Sequence, residues 1–411
     1  MPQLGNLGNM GDGANLENVG HNKSVIHQVD AIIKSAIEKS ASDIHIESTS
    51  DGARLRYRID GVLYDQSPVQ EQRKSQVISR IKVLSKINLA EKRIPQDGKF
   101  RISHNALEGS LGSFLIDLRV STFPSIYGEK VVIRILDRSR TMITLNALGF
   151  EKNMRAIFTD LVERPTGFVL VTGPTGSGKT TTLYAALSHL NSPEKNIITL
   201  EDPVEYNLNG ITQGQIHPDA GFTFAKGIRS VLRQDPDIAM VGEIRDKETA
   251  QIAIEASLTG HQVFSTLHTN DAPGAIMRLM DMGVEPFLIN AALTGVLAQR
   301  LARTICPDCK TSKSPTLQEK KIMDKLGLDL DKLYTGTGCD TCFGLGYKGR
   351  TGIFELLVMS SELRVLIVEH PKFDAIKSRA MSDGMQPMLK DGIAKVKSGT
   401  ISLEELIRVV W

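Results

Sequence analysis

The sequence predicts an α/β protein with more than one domain, and three observations lead to that prediction. At roughly 150 residues per domain, 411 residues indicate two or three domains and exclude a single short module. A helical pattern and two pairs of alternating strands open the chain, and buried strands alternate with helices in its middle, which is typical of a parallel sheet. A hydrophobic fraction of 41%, with 35 Gly and 16 Pro, excludes a collagen-like or mostly disordered chain.

The first part of the chain predicts a small α+β domain. Residues 1–20 are rich in Gly and Asn and have no apolar period, which predicts a flexible lead-in. Residues 24–40 carry apolar side chains at helical spacing, and alternating segments follow around the turn at Asp51 and Gly52. A second strand pair, FLIDLRVSTFP and KVVIRILD, completes a domain that we predict over residues 21–140.

The second part, residues 141–411, predicts an α/β domain built on a parallel sheet. A cysteine-bearing region over residues 303–350 interrupts it, and residues 351–411 have a helical pattern. Four strands are predicted before that region: Phe168–Val171, Ile197–Leu200, Ile238–Val241 and Gln262–Thr266. The stretch from 138 to 147 is the predicted hinge between the two parts.

Charge and aromatic content argue against nucleic acid as a partner. Lys and Arg number 49 against 47 Asp and Glu, a net charge of +2, and aromatic residues make up 5% with one Trp, Trp411. The chain therefore has no excess positive charge for a phosphate backbone and few rings for base stacking. We find no basic segment leading into an apolar run and no stretch of about 18 apolar residues, so we expect a cytoplasmic protein without a membrane span.

A phosphate-loop pattern, G-x-x-x-x-G-K-[ST], begins at Gly173 and ends at Thr180. In such a loop the backbone N–H groups surround the β-phosphate, Lys179 reaches the β- and γ-phosphates, and the Thr180 hydroxyl ligates Mg²⁺. A chance match in a Gly-rich turn is the alternative, but the required strand precedes the loop and a helix follows it. Nine residues are predicted to bind the nucleotide: Gly173, Pro174, Thr175, Gly176, Ser177, Gly178, Lys179, Thr180 and Thr181.

Polar side chains at the ends of three other strands predict catalysis as well as binding. Glu201 ends one strand, Glu243 follows the next, and His268 follows the third. Ligands bind beyond the carboxyl ends of strands in open α/β sheets, so these groups are expected beside the phosphate loop. Gly242 stands where an Mg²⁺-associated Asp is usual, which leaves Glu243 as the acidic group, and His268 senses the γ-phosphate or bridges to Glu243. A helix cap or a surface ion pair is the alternative for each carboxylate.

Four cysteines form two C-x₂-C pairs separated by 29 residues: Cys306, Cys309, Cys339 and Cys342. Two such pairs supply the four thiolates of a tetrahedral Zn²⁺ site, with no position open to water, which predicts a structural ion. Paired disulfides, a thioredoxin-like redox pair and iron–sulfur ligation are the alternatives.

Four ordered motifs resemble those of the secretion ATPases, namely the type II secretion ATPase (general secretion pathway protein E) and the type IV pilus assembly ATPase. The motifs are GPTGSGKTTT, ITLEDPVEY, LRQDPDIAMVGEIRD and STLHTND. The resemblance continues upstream in ASDIHIE, RYRIDG, AEKRIPQDGKF and DLRVSTFPSIYGEKVVIRILD, and downstream in LAQRLARTICPDC and GYKGRTGIFELL. It covers nearly all of the chain from about residue 24 to the end.

This resemblance implies a homohexameric ring whose subunits have a PAS-like amino-terminal domain and a RecA-like P-loop ATPase domain with a Cys₄ zinc-binding subdomain. It implies ATP and Mg²⁺ as ligands, Glu201 as the general base and Glu243 as a group that helps to hold Mg²⁺. Arg119 and Arg134 match arginines that reach the phosphates from the first domain, although a solvated charge on a strand face is the alternative. Four further arginines match positions near subunit interfaces: Arg229, Arg233, Arg245 and Arg278.

The function implied is a motor at the cytoplasmic face of the inner membrane that powers assembly of a type II secretion pseudopilus. Its partners would be inner-membrane platform and docking proteins. The cysteines favour assembly over retraction, because the retraction ATPases generally lack them. A type IV pilus assembly ATPase, a nucleotide-dependent scaffold of the same machine and a DNA-transporting ATPase are the alternatives. The family usually carries a further amino-terminal docking domain, so we expect either a truncated chain or a short natural form.

Overall fold

The structure is a computed structural model that describes residues 16–105, 113–137, 143–369 and 371–410. The chain divides into two compact units, a first unit over Met1–Arg140 and a second unit over Thr141–Trp411. Among the described residues, no helix has both the length and the apolar character needed to cross a bilayer.

In its described residues, the first unit is an antiparallel sheet with two helices. The elements are α1 (Leu16–Glu38), β1 (Asp43–Thr49), β2 (Gly52–Ile59), β3 (Val62–Asp65), β4 (Val69–Gln70), α2 (Glu71–Leu84), β5 (Gln96–Asn105), β6 (Ser113–Ser125) and β7 (Gly128–Asp137). The strands follow the order β3-β2-β1-β7-β6-β5, and the short strand β4 pairs with β2.

Alternation along the strands gives this sheet one apolar and one charged face. Ile44 and Ile46 of β1 are fully buried, as are Leu118 of β6 and Ile133 of β7. The predicted strand pairs are confirmed, but helix α1 begins at Leu16, earlier than the predicted lead-in allowed. The last five residues of that lead-in are therefore helical, and its first fifteen lie outside the described residues.

The second unit contains the remaining elements in helix–strand alternation. Its helices are α3 (Lys152–Glu163), α4 (Lys179–Leu190), α5 (Phe224–Val231), α6 (Lys247–Leu258), α7 (Ala272–Asp281), α8 (Pro286–Ala292), α9 (Leu317–Leu326), α10 (Ser361–Val368), α11 (Phe373–Ser382), α12 (Met388–Lys397) and α13 (Leu403–Val410). Its strands are β8 (Gly167–Thr172), β9 (Ile197–Glu201), β10 (Thr212–Gln215), β11 (Ile238–Val241), β12 (Gln262–Leu267), β13 (Leu293–Ile305), β14 (Lys310–Lys313), β15 (Leu333–Gly336) and β16 (Tyr347–Val358).

Seven of these strands form one sheet in the order β10-β9-β11-β12-β8-β13-β16. All neighbours in it run parallel except β16, which is antiparallel to β13. The four predicted strands are its central strands β9, β11, β12 and β8, so the segments that follow them emerge at one edge. This topology brings the phosphate loop and the polar strand ends of the sequence analysis together.

Both faces of the central strands are covered, which explains their unbroken apolar runs. Phe168 and Leu170 of β8 pack into the core on one face, while Val169 and Val171 pack into the core on the other. Helices α3 and α4 cover the second of these faces with Phe158 and Leu187, both fully buried.

The cysteine-bearing region follows β13 directly. Strands β14 and β15 form a two-stranded antiparallel sheet, and helix α9 lies between them in sequence. A single turn of 3₁₀ helix follows the first cysteine of each pair, at Pro307–Cys309 and at Asp340–Cys342. The carboxyl-terminal part consists of strand β16 and helices α10 to α13, so the predicted helical pattern is confirmed after residue 360 but not over β16.

Candidate nucleotide and metal sites

The phosphate loop connects β8 to α4 as a turn of residues 173–178. Strand β8 ends at Thr172 and α4 begins at Lys179, so the predicted strand, loop and helix are in place. Gly178 caps the helix with φ at +90°, a left-handed backbone that favours glycine. A side chain at Gly173 would lie 2.5 Å from the main-chain oxygen of Gln299. The loop therefore depends on both of its terminal glycines, and its tip at Pro174, Thr175 and Gly176 is exposed.

Lys179 turns back onto the loop. Its Nζ donates to the carbonyl oxygens of Gly173 at 2.9 Å and Pro174 at 3.2 Å. Burial lowers the pKa of Lys179, the nearby Glu243 carboxylate opposes that shift, and the Arg300 guanidinium adds to it. The ammonium thus lies beside the loop. An anion bound there would replace its hydrogen bonds to two neutral carbonyls by stronger hydrogen bonds between opposite charges.

One independent observation supports the binding of nucleotide phosphates at this loop. The Ser177 side chain is buried, and its Oγ has no hydrogen-bond partner within the described part of the chain. Buried hydroxyls are nearly always bonded, so an orphan at this position indicates a ligand-binding group. The amino-terminal end of the twelve-residue helix α4 adds its positive dipole at the same place.

Glu201 lies at the end of β9 and is almost fully buried, at 3% exposure. Its carboxylate accepts hydrogen bonds from Thr199 Oγ1 at 2.6 Å, from Gln213 Nε2 at 3.1 Å and from the Tyr184 hydroxyl. Burial, and then the bond to Glu201, raises the pKa of Tyr184 well above its usual range. Tyr184 thereby links helix α4 to Glu201, and Gln213 links strand β10 to it. The sequence analysis singled out neither residue.

Two other carboxylates follow Glu201 on the same segment and are exposed. Asp202 precedes Pro203 through a cis peptide bond and lies 3.8 Å from the Arg245 guanidinium. Glu205 follows three residues later. The motif ITLEDPVEY offered the signal for both, because it places three carboxylates within five residues.

Glu243 and His268 lie together beyond β11 and β12. His268 Nε2 is 3.4 Å from Glu243 Oε2, and Glu243 also contacts the Arg245 guanidinium. His268 is about half exposed, with 49% of its side-chain surface accessible, while Glu243 is mostly covered. The imidazole and the carboxylate are therefore paired, and Glu243 lies within electrostatic range of Lys179.

Arg119 and Arg134 belong to the first unit. They are directly opposite each other on β6 and β7, and Lys99 of β5 is opposite Arg119 on its other side. Arg134 Nε is 3.1 Å from Asp43 Oδ1. Like charges directly opposite on neighbouring strands destabilise a sheet. This exposed row of cations is therefore a candidate anion-binding surface of the first unit.

The four arginines expected near subunit interfaces are exposed in the second unit. Arg229 forms an ion pair with Glu248 at 2.6 Å, and Arg233 donates to the Arg229 carbonyl at 2.7 Å. Arg245 bridges Glu243 and Asp202, as described above, and Arg278 lies on α7.

The four cysteines form one cluster, with all four sulfurs within 4.8 Å of one another. Sγ–Sγ distances are 3.8 Å for Cys306–Cys339, 3.8 Å for Cys309–Cys342 and 3.7 Å for Cys339–Cys342. A tetrahedron with Zn–S bonds of about 2.3 Å has edges of about 3.8 Å. The thiols are free, and a disulfide bond of about 2.05 Å is incompatible with these distances. The donor set therefore fits zinc.

Backbone N–H groups prepare this cluster for a cation. Gly338 N donates to Cys309 Sγ at 3.3 Å, and Cys339 N and Gly346 N donate to Cys342 Sγ at 3.2 Å each. Although burial by itself raises the pKa of the Cys342 thiol, the N–H groups of Cys339 and Gly346, together with the neighbouring thiols of Cys339 and Cys309, bring it down to about 7. Such outer contacts orient thiolate ligands and stabilise their charge.

Comparisons with known proteins agree with these sites. The model of the family described as "Type II/IV secretion system protein" matches residues 18–408. Over 386 residues the chain is 48% identical to the type II secretion system ATPase E of Vibrio cholerae, a match that covers 94% of this chain and 75% of that protein. It is 45% identical over 388 residues to the type IV pilus assembly ATPase PilB of Myxococcus xanthus, covering 93% of this chain and 67% of that protein.

Two solved structures are similar in fold. The crystal structure of the pilus retraction motor PilT with bound ADP is 26% identical with a TM-score of 0.57, covering 92% of this chain and 95% of that one. The ATPase DotB of Yersinia pseudotuberculosis has a TM-score of 0.68 at 20% identity, covering 92% of each chain, and bears on the fold alone. The predicted α/β fold is confirmed, whereas the PAS-like character of the first unit stays a prediction.

Proposed function

Because the chain belongs to the Type II/IV secretion system protein family, we propose that it is an ATPase that powers assembly of a type II secretion pseudopilus. The observation that carries this proposal is the phosphate loop, where Lys179 and the orphan hydroxyl of Ser177 lie beside the start of α4. The Vibrio cholerae relative, itself named a type II secretion system ATPase, supports the choice of machine.

Type IV pilus assembly is the second candidate, and the similarity to the PilB protein of Myxococcus xanthus favours it. Both candidates share the same chemistry and differ in the filament that is assembled. The neighbouring genes distinguish them: a pilus machine would include a retraction ATPase and major pilins, whereas a secretion machine would include pseudopilins and lack a retraction ATPase.

Nucleotide binding is assigned to the loop and its helix. The backbone N–H groups of residues 175–178 and the Lys179 ammonium bind the β- and γ-phosphates. Lys179 then leaves the carbonyl oxygens of Gly173 and Pro174 that it contacts in this structure. The Thr180 hydroxyl and Glu243 would hold Mg²⁺, which would neutralise charge on the phosphates. His268 is paired with Glu243, so a change in the position of Glu243 when the γ-phosphate binds or leaves would also move His268.

The general base in this proposal is Glu201, and its hydrogen bonds set a condition on that role. The Thr199 hydroxyl and the Gln213 amide both engage Oε1, and the Tyr184 hydroxyl engages Oε2, so the acceptor site left for a proton from water is on Oε2. If water does not reach that oxygen, Glu201 fixes the position of residues 201–205, and Asp202 or Glu205 orients the water instead.

The active form is proposed to be a ring of six chains in which Arg119 and Arg134 stabilise charge on the transferring phosphoryl group. Their positions on β6 and β7, each facing a like charge, support an anionic ligand. The ring acts at the cytoplasmic face of the inner membrane on platform and docking proteins. The cysteine cluster would hold a structural zinc ion, because its four thiolates leave no position for water.

Hydrolysis of ATP by the purified full chain with Mg²⁺ tests the proposal, with three matched carboxylate-to-amide variants. Glu243→Gln is expected to lower kcat by about 100-fold, in the range of a lost electrostatic contact to the transition state. Glu201→Gln is expected to do the same if it is the base, whereas Glu205→Gln then leaves the rate within a few-fold.

The opposite ranking, with Glu205→Gln inactive and Glu201→Gln active, overturns the base assignment and leaves the ATPase standing. An assembled hexamer that binds ATP without any turnover overturns the motor and supports a nucleotide-dependent scaffold instead.

A further inference from the structure

Gln299 is a buried side chain beside the phosphate loop to which sequence reasoning assigned no role. It lies on β13, which pairs with β8 in parallel up to the match of Ala298 with Thr172. Thr172 is the last residue of β8, so Gln299 extends one position past the paired region, where the loop turns away. At 1% exposure, its amide has no water to bond and depends on protein partners.

The Gln299 amide joins the loop to helix α4 by two hydrogen bonds of opposite direction. Its Nε2 donates to the Ser177 carbonyl oxygen at 2.7 Å, and its Oε1 accepts from the Thr182 hydroxyl at 2.8 Å. An amide is suited to this place because it carries a donor and an acceptor on one planar group. A carboxylate would lack the donor, and an aliphatic side chain would leave both partners unbonded.

The backbone of the same residue fits against the first glycine of the loop. The Gln299 carbonyl oxygen would be 2.5 Å from a Cβ at Gly173, and its Nε2 would be 3.2 Å from a Cβ at Gly178. Gln299 thus touches both ends of the loop with one residue. A single buried position on β13 sets the space in which the loop closes.

The bond to Ser177 has a direct consequence for anion binding. The Ser177 carbonyl and the Gly178 N–H belong to one planar trans peptide, so they point in opposite directions. When Gln299 fixes the carbonyl on its own side, the Gly178 N–H is turned to the other side of the peptide. Backbone N–H groups of such loops are the donors to bound phosphates, so the orientation of this peptide matters for affinity.

We propose that Gln299 is a positioning residue that holds the phosphate loop in its anion-binding shape through the Ser177–Gly178 peptide. The inference rests on the proposed function, because it assumes that a nucleotide phosphate binds at this loop. Gln299 itself acts through the loop and needs no contact with the reacting atoms. Its loss is therefore expected to weaken nucleotide binding more than it slows the chemical step.

The test compares Gln299→Leu with Thr182→Val in the full chain. Both variants lose the Thr182–Gln299 hydrogen bond, but only Gln299→Leu also loses the bond to the Ser177 carbonyl. Fluorescent ADP with Mg²⁺ is titrated into each protein, and ATP turnover is measured over a range of ATP concentrations. Gln299→Leu is expected to raise Kd and KM about tenfold, the effect of one buried hydrogen bond, with kcat changed less than about threefold.

Thr182→Val is expected to bind the nucleotide within about twofold of wild type, and its Tm should fall less than that of Gln299→Leu because it loses one of the two buried hydrogen bonds. Gln299→Glu keeps the side-chain size and the Thr182 contact but presents an anion to the loop, so it is expected to weaken binding more than tenfold. It gives the same comparison if Gln299→Leu does not fold.

Two results would overturn the proposal. One is a folded Gln299 variant that binds within about twofold of wild type, and the other is a Thr182→Val protein that loses as much affinity as Gln299→Leu, which indicates packing alone. Absence of binding by the wild type would instead refute the proposed function, so the two failures are distinguishable.

Discussion

Replacing Glu405 by Gln is expected to destabilise the second unit strongly and in a pH-dependent way. Glu405 is fully buried in the first turn of α13, and its carboxylate accepts from Arg303 N at 2.7 Å, from Arg303 Nη2 at 2.8 Å and from the Arg408 guanidinium. Arg303 is itself buried on β13, and its guanidinium lies 4.0 Å from the centre of the Tyr347 ring. The variant Glu405→Gln keeps the shape and removes the charge.

The expected loss in the free energy of unfolding follows from the pKa of the Glu405 carboxyl group. Burial alone would raise it, but the bonds from Arg408 and Arg303 bring the pKa of Glu405 from its ordinary 4.5 down to about 2. A difference of about 2.5 units corresponds to about 3 kcal/mol of stability. This agrees with the roughly 3–5 kcal/mol lost when one partner of a buried pair is removed.

The direction of the pH dependence follows from the lowered pKa of Glu405. Because the folded pKa lies below the unfolded one, the contribution of Glu405 is complete above about pH 4.5 and is lost as the pH falls toward 2. At pH 3.5 about 2 kcal/mol of it should remain. The gap between wild type and Glu405→Gln must therefore narrow in acid.

Urea unfolding monitored by far-UV circular dichroism measures the effect, with Glu404→Gln as the matched control. Glu404 is exposed in the same turn of α13 and should change the free energy of unfolding by less than about 0.5 kcal/mol. A Glu405→Gln protein that is as stable as Glu404→Gln at pH 7, or whose loss of stability is as large at pH 3.5 as at pH 7, would contradict a charged, buried role for Glu405.

Three further predictions concern the loop, the cluster and the first unit. Gly173→Ala should weaken nucleotide binding by about 100-fold, because its Cβ would lie 2.5 Å from the Gln299 oxygen at a φ of +149°; a titration showing wild-type affinity contradicts this. Metal analysis of purified protein should find about one zinc per chain in wild type and little in Cys342→Ser, and full retention would argue against the Cys₄ set. Lys82→Met should lower the free energy of unfolding by about 3–5 kcal/mol, because it leaves buried Glu129 without its partner at 2.8 Å; Lys82→Met/Glu129→Leu should recover most of that loss, and no recovery would count against the pair.

The central strands of the second unit were predictable because burial on both faces gives continuous apolar runs bounded by turn residues. Strands β10, β13 and β16 were not predicted. In β13, the segment LAQRLAR places Gln299, Arg300 and Arg303 at irregular intervals. Gln299 bonds to the phosphate loop, Arg300 to Asn270, and Arg303 to Glu405 of α13. A strand whose polar groups satisfy different tertiary partners loses the period-2 signal.

The parts of the candidate site that lie directly after strand ends were predictable from the sequence. The phosphate loop, Glu243 and His268 come directly after buried strands, and parallel pairing brings such segments together. The surroundings of Glu201 were not predictable, because Tyr184 and Gln213 are distant in sequence and approach only after α4 and β10 pack. The same holds for Gln299, which lies more than 120 residues from Ser177.

The two cysteine pairs were informative from spacing alone, because a C-x₂-C turn places both sulfurs on one side. Spacing left disulfides, redox chemistry and iron–sulfur ligation open, and the Sγ–Sγ distances of 3.7 to 3.8 Å now exclude disulfide bonds within the cluster. The recognition of the secretion ATPase motifs is confirmed by the family match over residues 18–408. The roles of Arg119 and Arg134 stay predictions, since each follows from the resemblance.

The central claim is that this chain hydrolyses ATP at the loop that contains Lys179. The most direct measurement is phosphate release from ATP and Mg²⁺ by the assembled wild-type chain and by Lys179→Ala, with nucleotide binding followed in parallel. We expect steady turnover by wild type and a loss of at least about 100-fold in Lys179→Ala, because Lys179 is the one cation among residues 173–180 of the phosphate-loop pattern. Equal turnover by the two proteins would contradict it.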